Sequence, residues 1–268
     1  KNQFSFKMVG QLVNKEEFYM GFPIGIQLYS LREETEKDFI GVLEKVAKIG
    51  YQGVEFAGYG DIKASEMKQH LERLGLQAIS SHVPLERLEN HLDEEIAYAK
   101  VLGMKHMVCP YATFEGIEDV DKLAKILNDA GKACHAEGIV LSYHNHDHEF
   151  VKIDGEYILD LLFKKTNPDF VKAQLDLCWV SKGGVNEAAY VEKYSGRCPL
   201  LHAKDYVSKP EFRQVEVGTG LVDFAGIEKV AKNAGVQWVI VEQEEYSIDP
   251  FESIQISLEN LKKLKIAK

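Results

Sequence analysis

Two hydrophobic patterns alternate along the chain from residue 23 onward. Short apolar runs predict buried strands, and between them lie segments in which apolar residues recur at three- and four-residue spacing, which is typical of amphipathic helices. The predicted strands cover residues 24–31, 53–56, 78–83, 106–110, 139–144, 171–177, 200–205 and 238–242. The predicted helices cover residues 38–47, 64–74, 87–102, 118–136, 155–165, 186–194, 223–234 and 253–263. Glycine follows several of these helices, as expected for a helix end.

The alternation predicts the fold class. Eight strand-then-helix units in about 245 residues match the size of an α/β (β/α)₈ barrel, the TIM barrel. The alternative is an open, doubly wound sheet, which usually carries a glycine-rich turn after its first strand. Residues 29–32 contain no glycine, so the barrel is favoured. We therefore predict one catalytic domain over 23–268 and an N-terminal extension over 1–22, where apolar residues follow no clear period.

Acidic and imidazole side chains recur where the predicted strands end. The carboxyl ends of barrel strands form one mouth, where the active sites of this fold lie. Several carboxylates and imidazoles in one mouth repel and desolvate each other unless a cation neutralises them. Strands five to eight are consecutive around a barrel, and they bring together the predicted metal ligands His144, Asp176, His202 and Glu242. Two imidazoles and two carboxylates suit Mn²⁺, which we favour, or Zn²⁺, Co²⁺ or Fe²⁺.

A histidine-rich stretch, residues 143–150, follows the fifth predicted strand directly. Side chains on a strand alternate between its faces, so His144, His146 and His148 are expected to share one face. The alternative interpretation is a solvated loop in which the histidines have no common role. The apolar run immediately before the stretch favours the first interpretation.

Composition narrows the classes of partner. The formal net charge of −10 excludes the Lys/Arg-rich surface that nucleic acid requires. No apolar run approaches membrane-spanning length, and residues 1–3 do not open a signal peptide. The four cysteines are widely spaced and form no CxxC pair, so reduced packing cysteines are expected. We expect a cytoplasmic protein that binds a small carbohydrate, binds neither nucleic acid nor membrane, and forms a homodimer.

Several motifs, taken in order, resemble those of a known family. They are Gln27-Leu28-Tyr29-Ser30-Leu31-Arg32, Gly53-Val54-Glu55-Phe56-Ala57-Gly58, Ser81-His82-Val83, Tyr143-His144-Asn145-His146-Asp147-His148-Glu149-Phe150, Leu175-Asp176-Leu177-Cys178-Trp179-Val180, Gly183-Gly184, His202-Ala203-Lys204-Asp205, Glu216-Val217-Gly218-Thr219-Gly220 and Val241-Glu242-Gln243. Together they resemble the sugar phosphate isomerase/epimerase superfamily of xylose isomerase-like TIM barrels. The resemblance covers about residues 23–265.

The resemblance implies a divalent metal held by four side chains from strands five to eight. Asp176, His202 and Glu242 match the usual ligands of the superfamily. Strand five departs from the pattern, because many ketose epimerases have a glutamate where this chain has His144, with Glu149 further on. Proton exchange between two glutamates is therefore in doubt. Members that resemble inosose dehydratase also carry a histidine-rich strand five, which makes a lyase or dehydratase the alternative.

The predicted reaction is proton abstraction next to the carbonyl of a sugar or keto-sugar, through an enediolate that the metal stabilises. Glu242 or Glu149 is the predicted base. His146 and Lys204 are predicted to return the proton or to donate to a hydroxyl. In the alternative interpretation, Lys204 only neutralises a carboxylate such as Asp176. Three classes stay open: an isomerase or epimerase, which is favoured, a dehydratase or keto-glycoside lyase, and a non-catalytic sugar-binding protein.

Other residues near the mouth are candidates for substrate binding. Glu55 and His82 lie across the predicted ring from the metal and could bind distant hydroxyls, or could simply bond to loop amides. Trp179, Phe56 and Tyr29 could form an apolar platform for a sugar. Gly218 and Gly220 fit the loop after strand seven, where this fold frequently binds phosphate. Few cations accompany them, so a phosphorylated substrate is not indicated.

Overall fold

A computed structural model describes residues 21–267, so nearly all of the predicted N-terminal extension lies outside the described residues. Eight parallel strands form one sheet, in the order β3-β2-β1-β8-β7-β6-β5-β4. They are β1 Ile24–Gln27, β2 Gly53–Phe56, β3 Gln77–Ser81, β4 His106–Cys109, β5 Val140–His144, β6 Val171–Asp176, β7 Leu200–Ala203 and β8 Trp238–Val241. A single bridge between His82 and Val108 joins the two edges of the sheet, which confirms the predicted barrel.

Helices follow the strands and cover the outside of the barrel. They are α1 Arg32–Ile49, α2 Ala64–Leu74, α3 Leu85–Asn90, α4 Leu92–Leu102, α5 Ile117–Ala136, α6 Ile158–Lys165, α7 Leu177–Lys182, α8 Glu187–Lys193, α9 Phe224–Ala234 and α10 Pro250–Lys263. No helix among residues 21–267 is both long enough and apolar enough to cross a membrane. All four cysteines are free and buried, as predicted.

Several boundaries differ from the sequence prediction, and three of the differences have a clear local cause. The first strand ends at Gln27, not residue 31, because the Gln27 side chain accepts a hydrogen bond from the Tyr29 amide and starts a 3₁₀ turn over Leu28–Leu31. The predicted helix over 87–102 is two helices, because His91 has φ −138° and ψ 24°. Strand β7 ends at Ala203, and the chain then forms a hairpin of Asp205–Val207 with Arg213–Val215.

The barrel interior has an apolar layer beneath its polar mouth. Four buried side chains from different strands pack together there: Ile79, Val108, Leu200 and Ile240. Leu200 and Ile240 stand two residues before His202 and Glu242, so they share the inward face one layer closer to the amino ends. The space is tight, since a Cβ added at Gly25 would lie 2.3 Å from Ile79 Cδ1. This layer therefore closes the floor below the polar residues of the mouth.

Away from the mouth, one carboxylate joins two outer helices. Asp160 on α6 accepts hydrogen bonds from Tyr190 Oη at 2.8 Å, Tyr194 Oη at 2.6 Å and Lys193 Nζ at 2.6 Å, all on or just after α8. Burial alone would raise the pKa of Asp160, but these donors lower it below its usual value. A carboxyl group with a lowered pKa stabilises the fold above its unfolded-state pKa, and that stabilisation is lost as pH falls through the folded-state pKa.

We therefore expect Asp160→Asn to lower the free energy of unfolding at neutral pH by about 1–3 kcal/mol, the range for hydrogen bonds to a charged group. The difference from the wild type should shrink as the pH falls below about 4, because the wild-type carboxyl then also loses its charge. Urea unfolding at neutral and acidic pH measures both values. If the difference in free energy of unfolding between the wild type and Asp160→Asn does not change with pH, the Asp160 carboxyl group is not the charged acceptor described here.

Candidate metal centre and cavity

The four predicted metal ligands meet at the carboxyl ends of β5 to β8. One donor atom from each of His144, Asp176, His202 and Glu242 lies within 4.8 Å of the other three. All four side chains are at most 5% exposed. Residues far apart in the chain thus converge as the barrel predicts, and their role as ligands stays a prediction.

Asp176 gives the strongest indication that this group fits a cation. Its Oδ1 atom accepts from the amides of Cys178 and Trp179 at the start of α7. Its Oδ2 atom is buried and has no hydrogen-bond partner. Burial raises the pKa of Asp176 to about 6. A buried oxygen without a partner is unfavourable, and a divalent ion shared with two imidazoles and Glu242 would satisfy it.

His202 is held between two carboxylates. Its Nε2 atom donates to Glu55 Oε1 at 2.6 Å, and its Nδ1 atom lies 2.9 Å from Glu242 Oε2. Burial would lower the pKa of His202, but Glu55 and Glu242 raise it to about 10. The contact with Glu55 turns Nδ1 towards Asp176 and Glu242, the arrangement in which an outer carboxylate orients a metal-binding imidazole.

Glu55 lies beneath the mouth and not at its surface. It is fully buried. Its two oxygens accept hydrogen bonds from four side chains, those of Gln27, Ser80, Gln174 and His202. The Nε2 atom of His82 also lies 3.1 Å from Glu55 Oε1. Burial would raise the pKa of Glu55, yet His82 and His202 lower it well below its usual value. These contacts leave no oxygen free for a substrate, so they favour a positioning role for Glu55 over the predicted substrate contact.

Gln174 is part of the site, and the sequence reasoning missed it. Its Oε1 atom accepts from His144 Nδ1 at 3.0 Å and from His82 Nε2 at 2.8 Å, while its Nε2 atom donates to Glu55. The bond to Nδ1 leaves His144 Nε2 free to face Asp176. A signal was available, because Gln174 stands two residues before Asp176 on β6 and must point to the same face of the strand.

Lys204 lies inside the site, as predicted. Its Nζ atom is 3.0 Å from Glu242 Oε2, 2.6 Å from Glu244 Oε1 and 3.5 Å from Asp176 Oδ2, and the residue is 1% exposed. Burial would lower the pKa of Lys204, but Glu242, Asp176 and Glu244 raise it well above its usual value. Glu244, another residue that the sequence reasoning missed, therefore shares this ammonium group with Glu242.

The three histidines do not share a strand as predicted, because β5 ends at His144 and His148 begins a 3₁₀ turn. Their rings are nevertheless neighbours, with centroids 5.1 Å apart for His144 and His146 and 5.8 Å apart for His146 and His148. His148 Nε2 instead donates to the Ala112 carbonyl at 2.9 Å. Glu149 is buried beneath this turn, where its oxygens accept from Tyr143 Oη at 2.7 Å and from the His146 amide at 2.8 Å. These bonds hold the loop, and neither Glu149 oxygen faces the open cavity.

A cavity of about 590 Å³ opens above the candidate metal centre. Its lining includes His82, His144, His146 and Glu242. The Nδ1 atom of His146 has no hydrogen-bond partner, and burial lowers the pKa of His146 to about 4. His146 is therefore a neutral imidazole in the cavity wall, and its Nδ1 atom is buried there without a partner. Trp179, the predicted sugar platform, stacks on Phe212 with ring centroids 5.5 Å apart and is not part of the lining.

The loop that could have bound phosphate is filled by the protein itself. Asp205 Oδ2 accepts from the amides of Gly218 at 3.0 Å and Gly220 at 2.8 Å. Asp205 Oδ1 accepts from the amides of Tyr206 and Val222. A carboxylate thus occupies the anion position of this loop, and a phosphate would have to displace it.

We expect Glu55→Gln to weaken Mn²⁺ binding by about 10- to 100-fold, the usual effect of losing a partner that orients a metal ligand. The amide keeps the shape of Glu55 but removes the charge that orients His202. Calorimetric titration of metal-free protein with Mn²⁺ measures the change. Glu187→Gln, at a buried glutamate on α8 outside the site, is the matched control. Equal Mn²⁺ affinity in the wild type and Glu55→Gln would contradict the positioning role.

Comparisons with known proteins agree with this architecture. The chain is 22% identical to an inosose dehydratase of Clostridium beijerinckii, over 87% of this chain and 92% of that protein. A crystal structure of a sugar phosphate isomerase/epimerase from Parabacteroides distasonis has a TM-score of 0.82 at 28% identity and covers 92% of this chain and 96% of its own. The zinc-bound IOLI protein has a TM-score of 0.73 at 15% identity, over 91% and 98% of the two chains. Residues 43–264 match the model of the xylose isomerase-like TIM barrel, and the chain belongs to that family.

Proposed function

We propose that this chain is a metal-dependent sugar enzyme that removes a proton next to the carbonyl of a sugar or keto-sugar. The observation that carries the proposal is the group of four buried donors at the floor of an open cavity, where Asp176 Oδ2 has no hydrogen-bond partner and only the Lys204 ammonium group 3.5 Å away as a counter-charge. The neighbouring family members support sugar chemistry, since an isomerase/epimerase and an inosose dehydratase are among them.

His144, Asp176, His202 and Glu242 would hold the metal. The mixture of imidazole and carboxylate suits Mn²⁺, which we favour, and also Zn²⁺, Co²⁺ or Fe²⁺; zinc is the ion bound by the IOLI protein. A divalent ion in this position supplies Lewis-acid polarisation of the substrate carbonyl, which makes the neighbouring C–H bond more acidic.

His146 is the best-placed base for the proton transfer. It lines the cavity, and burial keeps its imidazole neutral, so it can accept a proton from a bound sugar. Lys204 is buried outside the cavity lining, and its ammonium group bonds to Glu244 and lies 3.0 Å from Glu242, so these contacts favour the alternative in which it neutralises carboxylates. Glu149 is a poorer base here, because its two oxygens already accept hydrogen bonds from Tyr143 and His146.

The same geometry favours elimination over epimerisation as the outcome of proton removal. Epimerisation through two carboxylates needs one on each side of the sugar, and Glu149, the second glutamate that the sequence suggested, is held in the loop. Loss of water or of an aglycone needs only one base, because no second group has to return a proton to the opposite face of the sugar. A dehydratase or keto-glycoside lyase therefore fits the cavity best, and an isomerase is the second candidate.

NMR of candidate keto-sugars in D₂O with Mn²⁺-loaded protein tests the proposal. Loss of water or of the aglycone is the expected result: the base takes the hydrogen next to the carbonyl, the adjacent carbon loses its hydroxyl or aglycone, and a double bond forms between these two carbons. Deuterium exchange with the carbon skeleton and all substituents retained would favour the isomerase. A chain that binds no divalent metal, or that catalyses neither exchange nor elimination on any keto-sugar, would contradict both enzyme functions and leave sugar binding alone.

A further inference from the structure

The cavity extends well beyond the candidate metal centre. From His144 and Glu242 it reaches across the mouth to the loops that follow β1 to β4, where Tyr29, Tyr59 and Tyr111 line it. We call the part lined by these three residues the tyrosine subsite. The total volume of about 590 Å³ lies in the middle of the range for pockets that hold drug-sized ligands, about 300–1,000 Å³. A single sugar ring at the metal end would leave the tyrosine subsite empty.

Two of these tyrosines are unusually exposed for large side chains. Tyr29 is 43% exposed and Tyr111 is 51% exposed, and both follow strands that lie far apart around the barrel. Both rings have a packing partner, since the Arg32 guanidinium lies 4.8 Å from the centre of the Tyr29 ring and Tyr111 packs edge-on against His146 with ring centroids 5.2 Å apart. Exposed apolar surface rimmed by polar groups is typical of a ligand groove.

The charged residues that line the cavity disfavour an anionic ligand at this end. The Arg32 guanidinium lies beside Tyr29 but outside the lining, where it donates to the Tyr29 and Glu244 carbonyls. Arg87 is the one Lys or Arg among the described residues that line it, and both Glu94 and Glu95 pair with its guanidinium. Glu95 also accepts from Tyr59 Oη at 3.2 Å, so the tyrosine subsite already holds a carboxylate. A phosphate or carboxylate there would meet negative charge, whereas hydroxyl groups could bond to Arg87, Glu95 and Tyr59.

We propose that the tyrosine subsite binds the second ring of an uncharged glycoside whose first ring lies at the candidate metal centre. The ligand chemistry is a neutral ring with an apolar face, which either a sugar or an aromatic aglycone provides, and aromatic side chains bind such faces by stacking. The placement of the first ring rests on the proposed function. The presence of a second-ring subsite rests on Tyr29, Tyr111 and the neutralised Arg87.

Binding of three simple glycosides to the Mn²⁺-loaded chain tests this inference without turnover. Methyl β-glucoside has no second ring, phenyl β-glucoside has an aromatic one, and cellobiose has a sugar. Calorimetric titration should show phenyl β-glucoside, cellobiose or both binding at least about fivefold more tightly than methyl β-glucoside, since stacking of one ring is worth about that factor. Which of the two gains affinity identifies the second ring as aryl or sugar.

Substitutions test whether the gain in affinity from the second ring comes from the tyrosine subsite. Tyr111→Ala and Tyr29→Ala should each lower the affinity for the two-ring ligand towards that for methyl β-glucoside. Leu221→Ala removes a side chain that is 54% exposed outside the cavity, and it should change no affinity. A gain that survives both tyrosine substitutions, equal affinity for all three glycosides, or no binding of any of them at millimolar concentration would overturn the inference.

Two further measurements separate this inference from the proposed function. Glucose 6-phosphate should bind no more tightly than methyl β-glucoside, and a clear preference for it would overturn the assignment of an uncharged ligand. Proton exchange on keto-sugars is measured separately in D₂O. A preference for two-ring ligands without any proton exchange would support the tyrosine subsite and refute the enzyme function. Proton exchange without that preference would support the enzyme function and refute the tyrosine subsite.

Discussion

Asp176→Asn is expected to bind Mn²⁺ at least about 100-fold more weakly than the wild type, because losing a ligand should cost more than losing an outer partner. The substitution removes the charge on the buried Oδ2 atom that has no partner. The asparagine Oδ1 atom can still accept from the Cys178 and Trp179 amides, so the start of α7 should be preserved. Metal content after dialysis and calorimetric titration measure the loss, and activity on a keto-sugar should fall with it.

Asp160→Asn is the matched control for this experiment. It makes the same chemical change at a partly buried carboxylate that bonds to Tyr190, Tyr194 and Lys193, away from the mouth. It should lower stability and leave the metal content unchanged. Stoichiometric metal in folded Asp176→Asn would show that the four donors do not form the metal centre, and the proposed Lewis-acid chemistry would fail with it.

His146→Asn is expected to slow proton exchange on a keto-sugar by about 10²- to 10⁴-fold, the range for loss of a general base. The metal should stay bound, because His146 is not one of the four converging donors. Asparagine offers no nitrogen that can take up a proton at neutral pH. The appearance of deuterium next to the carbonyl in D₂O, followed by NMR, measures the rate.

His148→Asn provides the comparison for that result. His148 is near in sequence and in space, with ring centroids 5.8 Å from His146, but its Nε2 atom is bonded to the Ala112 carbonyl. Substitution of His148 should disturb the loop after β5 but change the rate of proton exchange much less than substitution of His146. If both variants exchange protons at the wild-type rate, the base is elsewhere, and Glu242 becomes the strongest remaining candidate because it also lines the cavity.

The barrel and the convergence of donors could be predicted from the sequence because both follow from simple periodicities. Alternating strand and helix patterns predict the (β/α)₈ barrel, and the polar residue at each strand end must then face the same mouth. His144, Asp176, His202 and Glu242 were found in this way, and the structure brings them within 4.8 Å of each other. Lys204 was also placed correctly, from its position two residues after His202.

The sequence could not place residues that follow the strand ends, because a loop has no regular side-chain periodicity. Glu149 looked like a free base in the sequence, but its 3₁₀ turn directs it towards Tyr143 and the His146 amide. Gly218 and Gly220 looked like a phosphate loop until the hairpin after β7 brought Asp205 to their amides. In both cases a hydrogen bond between residues brought together by the fold decided whether a polar group was available.

The sequence by itself therefore determined the family's barrel and the four donors that could share an ion, because strand periodicity fixes the direction of each inward side chain. Only the tertiary structure decided which polar groups are already paired and which face open space. Gln174 is bonded to His144 and Glu55 to His202 beneath the mouth, whereas His146, Tyr29 and Tyr111 line one cavity. Those outcomes depend on contacts across the barrel, which no local pattern of residues encodes.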